Sequence, residues 1–420
     1  VFLIFVFLLT NISFGQFYNG SQQNYGKSRV QYRKFKWKAL KFRQFDVYFY
    51  DQGKEMASYV AQKAHRDIRE IERIFDYEFG SKIEIICYNS LTDFRQSNIG
   101  IAGEETQAGG KTRIIGSKVF IYYEGTHKQL NEQLTSALVE VFLNKMIWGG
   151  NWKDVLKANL LMDYPEWFIK GFLSYISKDW NPEMESKIKD GILTGRFKRL
   201  NDVEGEDAAL AGQAKWRYVE DNYGKEMIPN IIYLSKVSKN IDRAFKFSLG
   251  VGIAKLSYVY LRYYENIYWG DVKHQEEMQG DPIPIKSKKN HHYYGAKLSP
   301  DGQKVAYVEN IDGKYRVFVY DTFTRKRKKI YSAEAKISRL QDRSFPVLEW
   351  HPSGDYLSFY NERKGKVWYH LFDITTNEHT KVQIQRLEKV LSYNFSHDGK
   401  RIVLSGVWHG QTDLYLYNIT

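Results

Sequence analysis

The feature that most limits what this chain can fold into is a unit that recurs three times in its last third. The first copy runs from Ala296 to Tyr307 around Ser299-Pro300-Asp301-Gly302 and is followed by Tyr315 to Asp321. The second runs from Leu348 to Phe359 around His351-Pro352-Ser353-Gly354 and is followed by Trp368 to Asp373. The third runs from Tyr393 to Leu404 around Ser396-His397-Asp398-Gly399 and is followed by Asp413 to Asn418. An Asp-Gly or Ser-Gly pair between two alternating apolar runs is a tight hairpin signal, because glycine accepts a positive φ at no steric cost.

A repeat of roughly 45–50 residues that carries several strands indicates β-propeller blades. These copies resemble the repeats of TolB-like and prolyl-oligopeptidase-type propellers. His351, His397 and the repeated aspartates then read as turn or inter-blade residues rather than ligands. Closed propellers have roughly 4–8 blades, and a bare edge strand is an aggregation hazard. About three blades over 293–420 therefore form an incomplete propeller, and the chain is expected to continue beyond Thr420.

Ahead of the repeats the pattern is helical. Leu134, Leu138, Val141, Phe142 and Met146 recur at helical spacing, as they would on any amphipathic core helix. Within that segment lies Ala137-Leu138-Val139-Glu140-Val141-Phe142-Leu143, and downstream lies Pro165-Glu166-Trp167-Phe168-Ile169-Lys170-Gly171-Phe172-Leu173-Ser174-Tyr175. The two stretches resemble, in layout, the His-Glu-x-x-His and Pro-x-Trp-Phe-x-Glu-Gly-x-x-x-Tyr segments of thermolysin-like gluzincin (peptidase MA-like) metallopeptidases. The likeness covers about residues 40–265, from Phe45–Tyr50 to Ala244–Val251.

That resemblance puts Val139 and Leu143 at the two histidine ligand positions, Lys170 at the glutamate ligand position, and Glu140 at the general base. A zinc hydrolase needs three protein ligands and an open position for an acidified water. Two aliphatic side chains and an ammonium supply none of these, and no histidine occurs between His127 and His274. The expectation is a pseudoenzyme with no metal and no cofactor. A glutamate left behind by a lost ion is a costly buried anion, so a structural ion pair between Glu140 and Lys170 is expected. In the alternative, both side chains reach solvent from an eroded cleft.

Val1 to Leu9 is almost unbroken apolar sequence followed by Thr10 to Gln16. It is too short for a stable span and reads as a truncated signal peptide over 1–15, with a cut ahead of Gln16. No cysteine adjoins that cut, which excludes a lipoprotein anchor, and no later segment is apolar enough to cross a membrane. The lone cysteine, Cys87, sits in the predicted strand Ile83–Tyr88 and reads as a core thiol. The net charge of +13 suits an acidic partner. The lysines are spread along the chain, however, and no nucleic-acid-binding motif is present, so nucleic acid is not expected.

The sequence thus predicts a multidomain protein: a basic segment over 16–44, an α+β metallopeptidase-like domain over 45–280, a linker over 281–292, and an all-β partial propeller. The resemblances imply an exported protein in the periplasm or at the outer membrane. It would bind other envelope proteins or extended peptides without catalysis, with peripheral membrane association compatible. The competing reading is a hydrolase, either prolyl-oligopeptidase-like or an unorthodox metallopeptidase, whose catalytic part lies beyond Thr420. No Gly-x-Ser-x-Gly nucleophile elbow occurs within the chain.

Overall fold

A computed structural model describes residues 33–96, 114–115, 117–148, 164–273, 276, 282–285, 291–311, 314–333, 344–363 and 365–419. Residues 1–15, read from sequence as a signal peptide, the first part of the basic segment and half of the linker 281–292 lie outside them.

The first half is built on one mixed sheet. Its strands are β1 (Trp37–Lys41), β2 (Phe45–Tyr50), β3 (Ile83–Tyr88), β4 (Ile114–Ile115) and β5 (Lys118–Tyr122), in the order β1-β2-β3-β5-β4. The three central strands β2, β3 and β5 are parallel, and β1 and β4 run antiparallel at the edges. Residues 33–44, read from sequence as part of a separate basic segment, thus contribute an edge strand of this sheet. Lys38 and Lys41 are exposed on it while Phe35 is buried beside it.

Side chains alternate across the sheet, as the period of two requires. Val47, Ile85, Cys87, Val119 and Ile121 enter the large helical core. Tyr50, Ile86, Tyr88, Phe120 and Tyr122 form an aromatic cluster on the other face with Phe35 and Phe94. Cys87 is fully buried, and burial pushes its thiol far up, so it is the inert core thiol expected.

Among the described residues the helices are α1 (Lys54–Phe75), α2 (Leu91–Phe94), α3 (His127–Trp148), α4 (Glu166–Ser177), α5 (Pro182–Leu193), α6 (Gly205–Tyr223), α7 (Met227–Ser238), α8 (Ile241–Leu249) and α9 (Ile253–Val272). Their starts follow local chemistry. Thr126 caps α3 by accepting the Gln129 N–H at 3.2 Å, and Asn181 and Asn240 cap α5 and α8 in the same way. Among the described residues, no helix is long and apolar enough to cross a membrane.

The second half consists of three antiparallel sheets. They are β6 (His291–Leu298) to β9 (Arg327–Ser332), β10 (Val347–Trp350) to β13 (His379–Ile384), and β14 (Lys389–Phe395) to β16 (Gln411–Asn418), each paired in sequence order. The first two have four strands and the third has three, and none closes on itself. Gly302, Gly354 and Gly399 occupy equivalent turns, all with φ between 70° and 80°. In each turn the glycine N–H donates to the carbonyl three residues back, at 2.9 Å. The repeat seen in sequence is therefore a repeat of backbone geometry.

Neighbouring sheets pack face to face. One core joins Val308, Val317 and Val319 to Leu348, Leu357 and Phe359, and another joins Tyr360 and Val367 to Val390, Tyr393 and Leu404. His351 behaves as an inter-sheet turn residue. Its ring bonds Ser353 Oγ at 2.9 Å and meets the Gly399 carbonyl of the next turn at 3.3 Å.

Candidate functional site

The two helices that carry the metallopeptidase-like stretches, α3 and α4, pack side by side. Val139 is 0% exposed and Leu143 1% exposed, and both are members of the main core. The positions that would need imidazoles are thus closed and aliphatic. α4 in turn is pressed onto α6 through Gly171 and Gly212. A Cβ on Gly171 would come within 2.3 Å of the Gly212 Cα, and one on Gly212 within 2.1 Å of the Trp167 carbonyl oxygen. That approach seals Trp167, Phe168, Phe172 and Trp216 into one buried aromatic layer.

Lys170 does not make the expected bridge to Glu140. Its ammonium pairs with Glu166, one turn earlier on its own helix, and the same carboxylate accepts the Gly205 N–H at 2.7 Å. The physical reason is local: an acid four residues ahead of a lysine lies on the same helix face and costs no rearrangement to reach. Glu166 thereby ties α4 to the start of α6, where the helix dipole favours an anion. Glu140 is half-buried on α3. Among the described residues no group of three His, Cys, Asp or Glu side chains is placed to hold a metal ion.

Beyond this seam α1, α3, α4 and α6 leave a groove of about 690 Å³. Its floor is polar. Lys63 and Thr135 both bond the Asp67 carboxylate, at 2.6 Å each, and the Arg217 guanidinium lies 4.6 Å from the centre of the Trp180 ring. Burial raises the Glu132 carboxyl, and burial together with the Glu220 carboxylate raises the Tyr175 hydroxyl. The arrangement offers donors, acceptors and an aromatic wall to an extended polar ligand. The Thr135 hydroxyl is set against the Asp67 carboxylate, and Lys63 holds that same carboxylate.

A second concentration of charge was not legible in the sequence. At the carboxyl ends of the parallel strands, where ligands of such sheets commonly bind, Tyr50 donates to Asp93 at 2.6 Å and accepts the Asn89 N–H at 2.8 Å. Arg33 reaches the same Asp93 at 3.1 Å and also pairs with Asp51. The third sheet of the other half closes over this cluster, bringing Glu388 and His409, 3.9 Å apart. The turn His409-Gly410 carries φ values of 52° and 76°, and beyond it Thr412 donates to the Gly125 carbonyl at 2.8 Å and lies 3.1 Å from the Tyr123 hydroxyl. Val407 is part of the helical core.

Burial, reinforced by repulsion from Asp93 and opposed by Arg33, pushes the Glu388 carboxyl up to about 8. Burial also raises Asp93, against the pull of Tyr50 and Arg33, and lowers His409. Glu388 Oε2, His409 Nδ1 and both polar atoms of the Asn89 side chain have no hydrogen-bond partner among the described residues. Residues from 33 to 409 converge here, and no single stretch of sequence carries the pattern.

One further buried charge lies on α6. Lys215 is 1% exposed. Its ammonium donates to Ser257 at 2.8 Å and stands 4.0 Å from the centre of the Trp167 ring. Burial lowers it to about 7.

No family description matches this chain, and no curated protein does. Among solved structures the neighbours are TolB-like β-propeller proteins. TolB from Acinetobacter baumannii is 18% identical over 31% of this chain and 30% of its own, with a TM-score of 0.27. The β-propeller domain of the Trilobed protease from Pyrococcus furiosus is 21% identical over 31% and 41%, with a TM-score of 0.23. An oligogalacturonate lyase in complex with manganese is 15% identical over 33% and 38%, with a TM-score of 0.26. The chain therefore spans well under half the length of each. The metallopeptidase likeness draws no support from these neighbours.

Proposed function

We propose that this chain is an exported, non-catalytic binding protein of the bacterial envelope, in which a degenerate gluzincin-like domain is joined to blades of a TolB-like β-propeller. The observation that carries the reading is the state of the three ligand positions. Val139 and Leu143 are sealed in the core, and Lys170 is held by Glu166. A cation has no ligand set there. The chain offers a helix-lined groove with a polar floor, suited to holding an extended peptide, and a separate stack of sheets suited to docking proteins.

The test is metal analysis and peptide hydrolysis on the purified full chain. The expected result is zinc far below one equivalent and no chelator-sensitive cleavage of a mixed peptide pool. A stoichiometric metal, or hydrolysis abolished by a chelator, overturns the reading. Fractionation of the native envelope checks the compartment: recovery in the cytosol alone would remove export from the proposal.

A further inference from the structure

Helix α9 presents an outward face that its neighbours leave open. Its buried side is a column of Leu256, Tyr260, Tyr264 and Tyr268 at four-residue spacing. The opposite stripe holds Lys255, Tyr258, Val259, Arg262, Trp269 and Lys273, all exposed. Tyr258 is 62% and Trp269 58% exposed, far more than large aromatics normally show on a water-facing helix. From Lys255 to Lys273 the stripe extends about 27 Å at the rise of an α-helix.

The charge on this face has one sign. Lys255 and Lys273 have no ion-pair partner among the described residues. Arg262 lies 5.7 Å from the Tyr258 ring centre and bonds Glu265 at 3.4 Å. The helix's other acid, Asp271, turns to Lys189 at 3.0 Å. At the helix start, Asp242 accepts the Ile253 N–H at 2.8 Å and pairs with Lys246. Glu265, Asp271 and Asp242 are each paired with a base, Glu276 follows the stripe as an exposed acid, and the chain carries a net charge of +13.

Tyrosine and tryptophan interleaved with lysine and arginine along one exposed helix face suit a membrane–water interface. There the rings sit at headgroup depth and the cations meet lipid phosphates. We propose that the outward stripe of α9 docks on an anionic lipid surface, with the helix lying in the plane of the membrane. The proposal does not rest on the lost metal site or on the compartment. It needs only a bilayer carrying negative headgroups.

The test is co-sedimentation of the full chain with vesicles of phosphatidylglycerol and phosphatidylethanolamine, and separately with vesicles of phosphatidylcholine alone. Binding is expected to the anionic vesicles, to fall as salt rises, and to be weak on phosphatidylcholine. Arg262→Glu and the double variant Tyr258→Ser/Trp269→Ser should each weaken it about fivefold or more. Because all three side chains are exposed, the melting temperatures should not move. Phe323→Ser is the control, since Phe323 is a 93% exposed aromatic in the turn between β8 (Lys314–Asp321) and β9. Failure to bind anionic vesicles overturns the proposal. So does binding that the α9 variants leave intact, or that Phe323→Ser reduces equally. Capture of duplex DNA without vesicle binding would assign the basic charge elsewhere and overturn it as well.

Discussion

Two seams in this molecule handle polarity in opposite ways. Between α3, α4 and α6 the contact is dry: Val139, Leu143, Phe168 and Phe172 fill it, and two glycines let the backbones touch. Between the first half and the third sheet the contact gathers Asp93, Glu388, Arg33 and His409, and leaves Glu388 Oε2 and His409 Nδ1 without hydrogen-bond partners among the described residues. The first seam is held by shape, so it tolerates almost no added volume. The second is held partly by charge, so its strength depends on which groups carry protons. One fold can thus keep one interface apolar and concentrate polar groups in another.

The largest effect should come from the dry seam. Gly212→Val places a branched side chain where a Cβ already lies 2.1 Å from the Trp167 carbonyl oxygen. It should cost at least about 3 kcal/mol of stability, read by urea unfolding, or prevent folding. A loss below about 1 kcal/mol would show that α4 and α6 can part cheaply, and the contrast between the seams would weaken.

The charged seam should answer to pH. A carboxyl raised in the folded state binds more protons folded than unfolded, so its contribution is lost as pH rises from its unfolded value toward about 8. His409, lowered from 6.5, acts in the opposite sense, but only below that pH, and Asp93 shares the sign of Glu388. Between pH 6.5 and 7, below the range in which Lys215 acts in the opposite sense, stability should therefore fall, by up to about 1.4 kcal/mol per unit. Glu388→Gln should flatten that slope. An unchanged slope in the variant would place the titration elsewhere.

The smallest effect concerns Lys215, a buried charge on α6 beside the dry seam. Lys215 is lowered from 10.5 to about 7, so the unfolded state binds more protons between those values and stability rises with pH across them. Lys215→Met should raise the melting temperature at pH 7, by the equivalent of about 1 kcal/mol. The gain should shrink toward pH 10. A loss at pH 7 would mean that the Trp167 ring and Ser257 more than compensate the buried ammonium.

Much of the fold could be read from local patterns because those patterns are themselves local physics. The Asp-Gly and Ser-Gly turns recur because each hairpin needs a positive φ at one place, and Gly302, Gly354 and Gly399 supply it. Val139 and Leu143 were read as occupants of ligand positions, and the structure buries both in the core. The Lys170 partner was misjudged because a cross-helix bridge looked attractive from chemistry alone, whereas Glu166 was already within one helical turn.

The charged seam was invisible for a different reason. Arg33, Asp51, Asp93, Glu388 and His409 are separated by up to hundreds of residues, and each looks like an ordinary surface charge in its own stretch of sequence. The amino-acid sequence by itself determined the elements: alternation made the strands, and helical spacing and caps made the helices. Only the tertiary structure decided which charges meet, because strand ends and turns far apart in the chain are brought together by burial of apolar surface, not by any preference the charges have for one another.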